Sequence, residues 1–238
     1  MSRSRFWSVA LGLLLLAVSA AQARGSGDGE SNRAKKAATP DQAVEQLARA
    51  AAGDLDAFMA VLDKPSRDAM KARLASADAL LAFLDALDKK FGKDDKPKPP
   101  PFKAILKGLE KIEIIKKDSE ADDRMVLTVR MTGRGPDGTP RTGGGKLTAL
   151  KEGDAWTLRI WDVLPGPGGR RPREVELTAA ESRKQQELFA KRVGVITNMT
   201  RQLEDGKFKS RQEALEGLRA ALRKAFAPPK EGADEPSR

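Results

Sequence analysis

The chain contains no cysteine, no histidine and no tyrosine in its 238 residues, and only 5% of it is aromatic. Each absence excludes some chemistry. Without Cys there is no disulfide to staple an exported domain, and no Cys to carry a lipid anchor, so stability must come from packing. Without Cys and His the usual ligands of zinc, copper and haem are missing. The thiolate nucleophile and the commonest acid–base side chain go with them. Without Tyr there is no phenol to donate into an oxyanion site. Asp, Glu, Lys, Ser and Thr remain, so catalysis is disfavoured rather than excluded. The expectation is a protein with no metal and no cofactor.

What is abundant is charge. Lys and Arg total 44 against 34 Asp and Glu, a formal net charge of +10. Such a surface attracts anionic polymers. Here the cations are dispersed among acids, and no aromatic–basic interleaving forms a base-stacking platform. Nucleic acid is therefore a disfavoured partner, and a solvated basic surface is the plainer reading.

Residues 1–23, MSRSRFWSVALGLLLLAVSAAQA, carry Arg3 and Arg5, an apolar run from Phe6 to about Ala20, and Ala21-Gln22-Ala23. A charged start, an apolar stretch and a small-x-small site in that order describe a secretory signal peptide. The run is about fifteen residues, short of the roughly 20 that span a bilayer as a helix. The expectation is an exported protein, periplasmic or secreted, with no transmembrane anchor after cleavage. Residues 24–38 are rich in Gly, Ser and charge and read as a flexible leader.

Thr39-Pro40-Asp41-Gln42 is a capping box with Pro at the first helical position. Val44, Leu47, Ala48 and Ala51 then share one helical face. Asp54 can cap a short second helix carrying Leu55, Phe58, Met59 and Leu62. After Pro65, Ser66 can cap a third, with Met70, Leu74, Leu80, Leu81, Leu84, Leu87 and Phe91 in near 3.6 period. Ser76-Ala77-Asp78 leaves open one long helix or two. Gly92 to Pro101 is a Pro-Lys spacer, and Phe102 to Leu109 allow a further helical turn or two.

The period then changes to 2. Ile112 and Ile114, Met125 to Met131, Leu147 and Ala149, and Trp156 to Ile160 each alternate with polar or mixed residues. This predicts four strands of an antiparallel sheet covered on one face. Gly133 to Gly145 reads as a long loop between the second and third strands. Its Gly143-Gly144-Gly145-Lys146 lacks the spacing and the following Ser or Thr of a phosphate loop. Residues 164–174, with Arg170, Arg171 and Arg173, read as a Pro/Gly/Arg linker. Residues 175–227 hold two further capping boxes, Thr178 to Glu181 and Ser210 to Glu213, each opening an amphipathic helix. They predict a helical hairpin, and residues 228–238 a disordered tail.

The segment TPDQAVEQLARAAAGDLDAFMAVLD, with Lys151-Glu152-Gly153-Asp154-Ala155-Trp156-Thr157-Leu158 at the end of the strand run, resembles the nuclear transport factor two-like superfamily. In particular it resembles the exported bacterial domains of unknown function in that superfamily. The resemblance covers residues 39–163. It implies an α+β cone fold, with N-terminal helices packed on a curved four-stranded antiparallel sheet, here followed by the αα-hairpin. It does not imply a function, because this superfamily hosts enzymes, binders and scaffolds. Its isomerase branch pairs an Asp base with a Tyr-containing oxyanion site, and that chemistry does not transfer to a chain without Tyr.

In a cone, Asp162 continues the inward register of Trp156, Leu158 and Ile160. Trp156 and Asp162 are the candidate ligand-binding residues, and Asp162 the one candidate catalytic base. On the opposite face, Arg159 and Trp161 are candidate interface residues, for a homodimer through the outer sheet face. Cover by the helical hairpin is the alternative. The leading expectation is a non-enzymatic exported module of the periplasm or cell envelope that binds a protein or a small apolar ligand. The alternatives are a small isomerase or hydrolase using Asp162, and a binder of anionic polymers through the basic surface.

Overall fold

The structure is a computed structural model and describes residues 37–51, 54–93, 109–134, 138–164 and 173–226. The signal peptide, most of the leader, the Pro-Lys spacer from residue 94, the Phe102 turn, Arg170 and Arg171, and the tail lie outside the described residues. Among the described residues there are five helices and one open five-stranded sheet, an α+β architecture. The helices are α1 (Pro40–Ala51), α2 (Leu55–Val61), α3 (Lys64–Phe91), α4 (Ala179–Glu204) and α5 (Arg211–Ala225). The strands are β1 (Leu109–Ala121), β2 (Arg124–Arg134), β3 (Pro140–Glu152), β4 (Ala155–Leu164) and β5 (Arg173–Glu176), antiparallel and in sequential order.

Local capping chemistry sets the helix starts. Thr39 Oγ1 accepts from Gln42 N–H at 3.2 Å, Asp54 from Ala57 N–H at 3.0 Å, and Ser210 from Glu213 N–H at 3.2 Å. Thr178 does the same for α4. Each satisfies one of the orphan donors of a helical first turn. Helix α3 is one continuous helix of 28 residues, and its cap is Asp63 rather than Ser66. Asp63 Oδ1 accepts the Ser66 N–H at 3.0 Å, and Pro65 sits in the first turn, where its missing N–H costs nothing. Helix α4 ends in a Schellman arrangement, with Lys207 N–H on Gln202 O at 3.0 Å, Gly206 N–H on Leu203 O at 3.1 Å, and Gly206 at φ 80°.

Two sheet expectations change. The sheet has five strands rather than four, because Arg173–Glu176, partly assigned to the linker, pairs with Trp161–Leu164. A four-residue strand with a single apolar residue, Val175, carries almost no periodic signal. The Gly133–Gly145 loop is mostly strand. Gly143, Gly144 and Gly145 pair with Met131, Arg130 and Val129, in register with the apolar residues that follow. Glycine weakens a strand interior but does not prevent pairing once flanking residues fix the register.

The two edges of the sheet differ. Among the described residues strand β1 has no outer neighbour, and its pairing with β2 shifts register at three places; at the middle one Ile115 is the extra residue and points to solvent. Bulges and the lysines Lys111, Lys116 and Lys117 blunt such an edge against further pairing. The far edge of β4 is covered group by group. Leu158 O accepts Asp63 N–H at 2.9 Å, Ile160 N–H donates to Ser66 Oγ at 3.0 Å, and Ile160 O accepts Leu177 N–H at 3.0 Å. Strand β5 takes over from there. The start of α3 is thus tied to the sheet by backbone groups that would otherwise be buried without partners.

Apolar residues form two cores. The first lies between the sheet and α1, α2 and the first half of α3, with Val44, Leu47, Met59, Leu62, Met70, Leu127, Leu158 and Ile160. The second is helical and joins the second half of α3 to α4 and α5 through Phe83, Leu87, Ile196, Met199, Leu203 and Leu218. Ser182 Oγ bonds Pro65 O, Arg73 meets Gln185, and Lys90 Nζ donates to Leu203 O, so α3 and α4 run parallel. Helix α5 runs back against both, with Arg211 on Asp88 at one end and Phe226 under Lys191 at the other. The hairpin therefore docks on α3. No described helix is long and apolar enough to cross a membrane.

Candidate functional site

Strand β4 carries all four residues that the sequence singles out, and the pleat sends them to opposite faces. Trp156 stands near its start, half-buried at the margin of the sheet core, with its N–H on Ala37 O at 2.8 Å. Asp162 lies six residues on, about 20 Å away at the rise of an extended strand. The two do not meet in one pocket. Between them Leu158 and Ile160 are buried in the sheet core, packed with side chains from the helices.

Asp162 is buried where the two cores join. The periodicity of α3 that buries Met70 and Ala77 also turns Arg73 inward, and Arg73 forms an ion pair with Asp162. Helix α4 contributes Gln185 and, one turn later, Phe189. Gln185 Nε2 donates to Asp162 Oδ2 at 2.6 Å, and its Oε1 accepts from Arg73 Nε at 3.1 Å and also from Arg73 Nη2. The guanidinium lies over the Phe189 ring, 5.4 Å from its centroid. Burial pulls the Arg73 guanidinium below its ordinary value, while the charge and hydrogen bond of Asp162 push it the other way. One strand and two helices thus each give one polar group to a buried cluster, in which Arg73 Nη1 is left without a hydrogen-bond partner among the described residues. A general base must reach the proton that it removes, whereas this carboxylate is aimed at a guanidinium and an amide.

On the outer face the side chains form a second, wetter network. Arg159 Nε lies 2.6 Å from Asp63 Oδ2, the buried cap of α3, and its Nη1 is 3.5 Å from Glu176 Oε1. Arg124 Nη2 holds Glu176 Oε2 at 2.8 Å and also pairs with Glu120. Burial pushes the Glu176 carboxyl up, but the hydrogen bonds from Arg124 and Thr148 and the charges of Arg124 and Arg159 outweigh it. They hold the group below the usual carboxylate range. Those of Glu176 and Glu120 in turn raise Arg124 above its ordinary value. Trp161 is half-buried beside this network. Its Nε1 donates to Thr148 Oγ1 at 2.9 Å, and Lys146 Nζ sits 5.1 Å from the ring centroid and 3.1 Å from Glu174 Oε2.

The structure thus brings Arg159 and Trp161 together on one face and keeps Trp156 apart from Asp162. Sequence reasoning missed the partners, Arg73, Gln185, Asp63, Arg124 and Glu176. A signal existed for two of them: Arg73 falls within the apolar period of Met70, Leu74 and Ala77, and Gln185 stands four residues before Phe189. Among the described residues no group of three or more Asp or Glu side chains is arranged to hold a metal ion. Compared with known proteins, the chain matches no family model, no curated protein and no solved structure.

Proposed function

We propose that the chain is an exported, non-enzymatic interaction module of the periplasm or cell envelope, and that its working surface is the outer sheet face around Trp161. The observation that carries this is the division of labour on β4. Asp162 is engaged internally by Arg73 and Gln185, while its neighbour Trp161 stands half-exposed on a face stiffened by the Asp63–Arg159–Glu176–Arg124 network. Aromatic and Arg side chains in a pre-organised setting are the usual anchors of protein interfaces. The signal-like residues 1–23 support the address. The order of three helices followed by an antiparallel meander supports the reading of residues 39–163 as a cone-type domain of the nuclear transport factor two-like superfamily.

The test is site-specific photo-crosslinking in the producing cell. A crosslinker at position 161 is expected to give a discrete adduct in the envelope fraction, while one at the exposed Lys64 gives none. Recovery of the protein in the cytoplasm, or the same pattern from both positions, would overturn the reading.

A further inference from the structure

Among the described residues, helix α5 is covered on one side only. Ala214 and Leu218 are buried in the helical core, while Glu213, Glu216, Ala220 and Arg223 face solvent on the opposite side. That side borders an open, shallow groove of about 1000 Å³, whose lining includes Phe208 and Ala220 together with Glu213, Glu216, Arg219 and Arg223. The charges are segregated, with both carboxylates in the first half of the helix and both guanidiniums in the second. Glu213 and Glu216 accept hydrogen bonds from Lys209 N–H and Gln212 Nε2, leaving their charges unpaired by any cation among the described residues. Neither Arg219 nor Arg223 has an ion-pair partner among the described residues.

We propose that this face binds the same face of a second copy of the chain, the two α5 helices lying antiparallel about a twofold axis near Leu218. A twofold interface must be complementary to itself, and this pattern is. The rotation sets Glu216 beside the partner's Arg219 and Glu213 beside the partner's Arg223, and each pair occurs twice. The small Ala220 permits the close helix spacing of about 8 Å seen in tight packings. A parallel arrangement would instead set Glu against Glu and Arg against Arg. The interface is modest, because fifteen residues at 1.5 Å each make a helix of about 22 Å. One face of it falls short of the roughly 800 Å² per partner of a standard stable complex. The dimer is therefore weak, reversible and salt-sensitive. This surface is separate from the outer sheet face and does not depend on the function proposed for it.

Sedimentation of the chain from Arg24 onward, over about 10 µM to 1 mM, tests the proposal in the range where such weak contacts populate. A monomer–dimer equilibrium that weakens with added salt is expected. Glu216→Arg alone, or Arg219→Glu alone, raises the dissociation constant about tenfold or more, because each reversal acts twice. An equimolar mixture of the two variants restores dimers, since opposite charges then face each other in both contacts. Circular dichroism confirms that both variants are folded. A wild type that is monomeric throughout, or a mixture that stays monomeric, overturns the proposal. So does a dimer that survives Glu216→Arg but is lost in Trp161→Ala, which would place the contact on the sheet.

Discussion

The two cores share one helix and are built differently. The sheet core joins segments far apart in the chain, and its boundary is closed by polar groups, with Asp63 and Ser66 on the edge of β4 and Arg73 on Asp162. The buried side chains of the helical core are all apolar, and the polar contacts of Lys90 on Leu203 O and Arg211 on Asp88 lie together at one end of it. The contrast follows from the backbone. A helix satisfies its own hydrogen bonds and needs partners only at its termini, whereas a strand with a covered edge needs a partner at every second residue. Helix α3 serves both regimes. Its first half supplies polar groups to the sheet, and its second half supplies apolar surface to the hairpin.

The sharpest way to break this comparison is at the joint. Replacing Arg73 with Met leaves Asp162 buried without its counter-charge. Urea unfolding is expected to show a loss of about 3–5 kcal/mol, with most of it returned only when Asp162→Leu and Gln185→Leu are added, so that neither the carboxylate nor the amide that Arg73 holds stays buried without it. A cost below about 1 kcal/mol would mean that the ion pair does not hold the cores together.

The next largest effect compares the cores directly. Leu87→Ala in the helical core and Leu158→Ala in the sheet core each remove a fully buried side chain. Each is expected to cost about 2–5 kcal/mol. Because α3 runs through both cores, far-UV circular dichroism and the fluorescence of Trp156 and Trp161 on β4 should give one coincident transition in either variant. In Leu87→Ala, loss of helix signal before the fluorescence changes would show that the two regions unfold separately.

The smallest effect concerns the outer face. Glu176 has a lowered pKa in the folded chain, so its contribution to stability is complete above the unfolded value of about 4.3. It is lost as pH falls through the lower folded value. Thermal melts of wild type and Glu176→Gln should differ at pH 7, with the wild type more stable, and converge towards pH 3. A gap that stays constant with pH would remove the Arg124 and Arg159 contacts as its cause.

What the sequence revealed was local. The caps at Thr39, Asp54, Thr178 and Ser210 were readable because a cap and its N–H lie within three residues. The apolar alternation of β2 to β4 was readable because the pleat has a period of 2. Asp63 was missed in favour of Ser66 because both side chains can cap, and only the edge of β4, which claims Ser66 Oγ, separates their roles. The joint was hidden for a different reason. Arg73 and Gln185 lie 112 positions apart, and nothing local says that they share Asp162. The outer face was half readable: Arg159 and Trp161 were placed on it by alternation, but their partners on α3, β2, β3 and β5 were not.

The parallel course of α3 and α4 has an electrical consequence. Two aligned helix dipoles bring two negative poles together at Gly92 and Leu203, an arrangement that repels itself. The chain answers with Lys90 Nζ on Leu203 O, Arg211 Nη1 on Gly92 O at 2.8 Å, and the positive pole of α5, which begins at that point. The hairpin turn from Asp205 to Ser210 therefore acts as a grounded terminal. It returns the chain in the direction that cancels the field built up by the two helices before it.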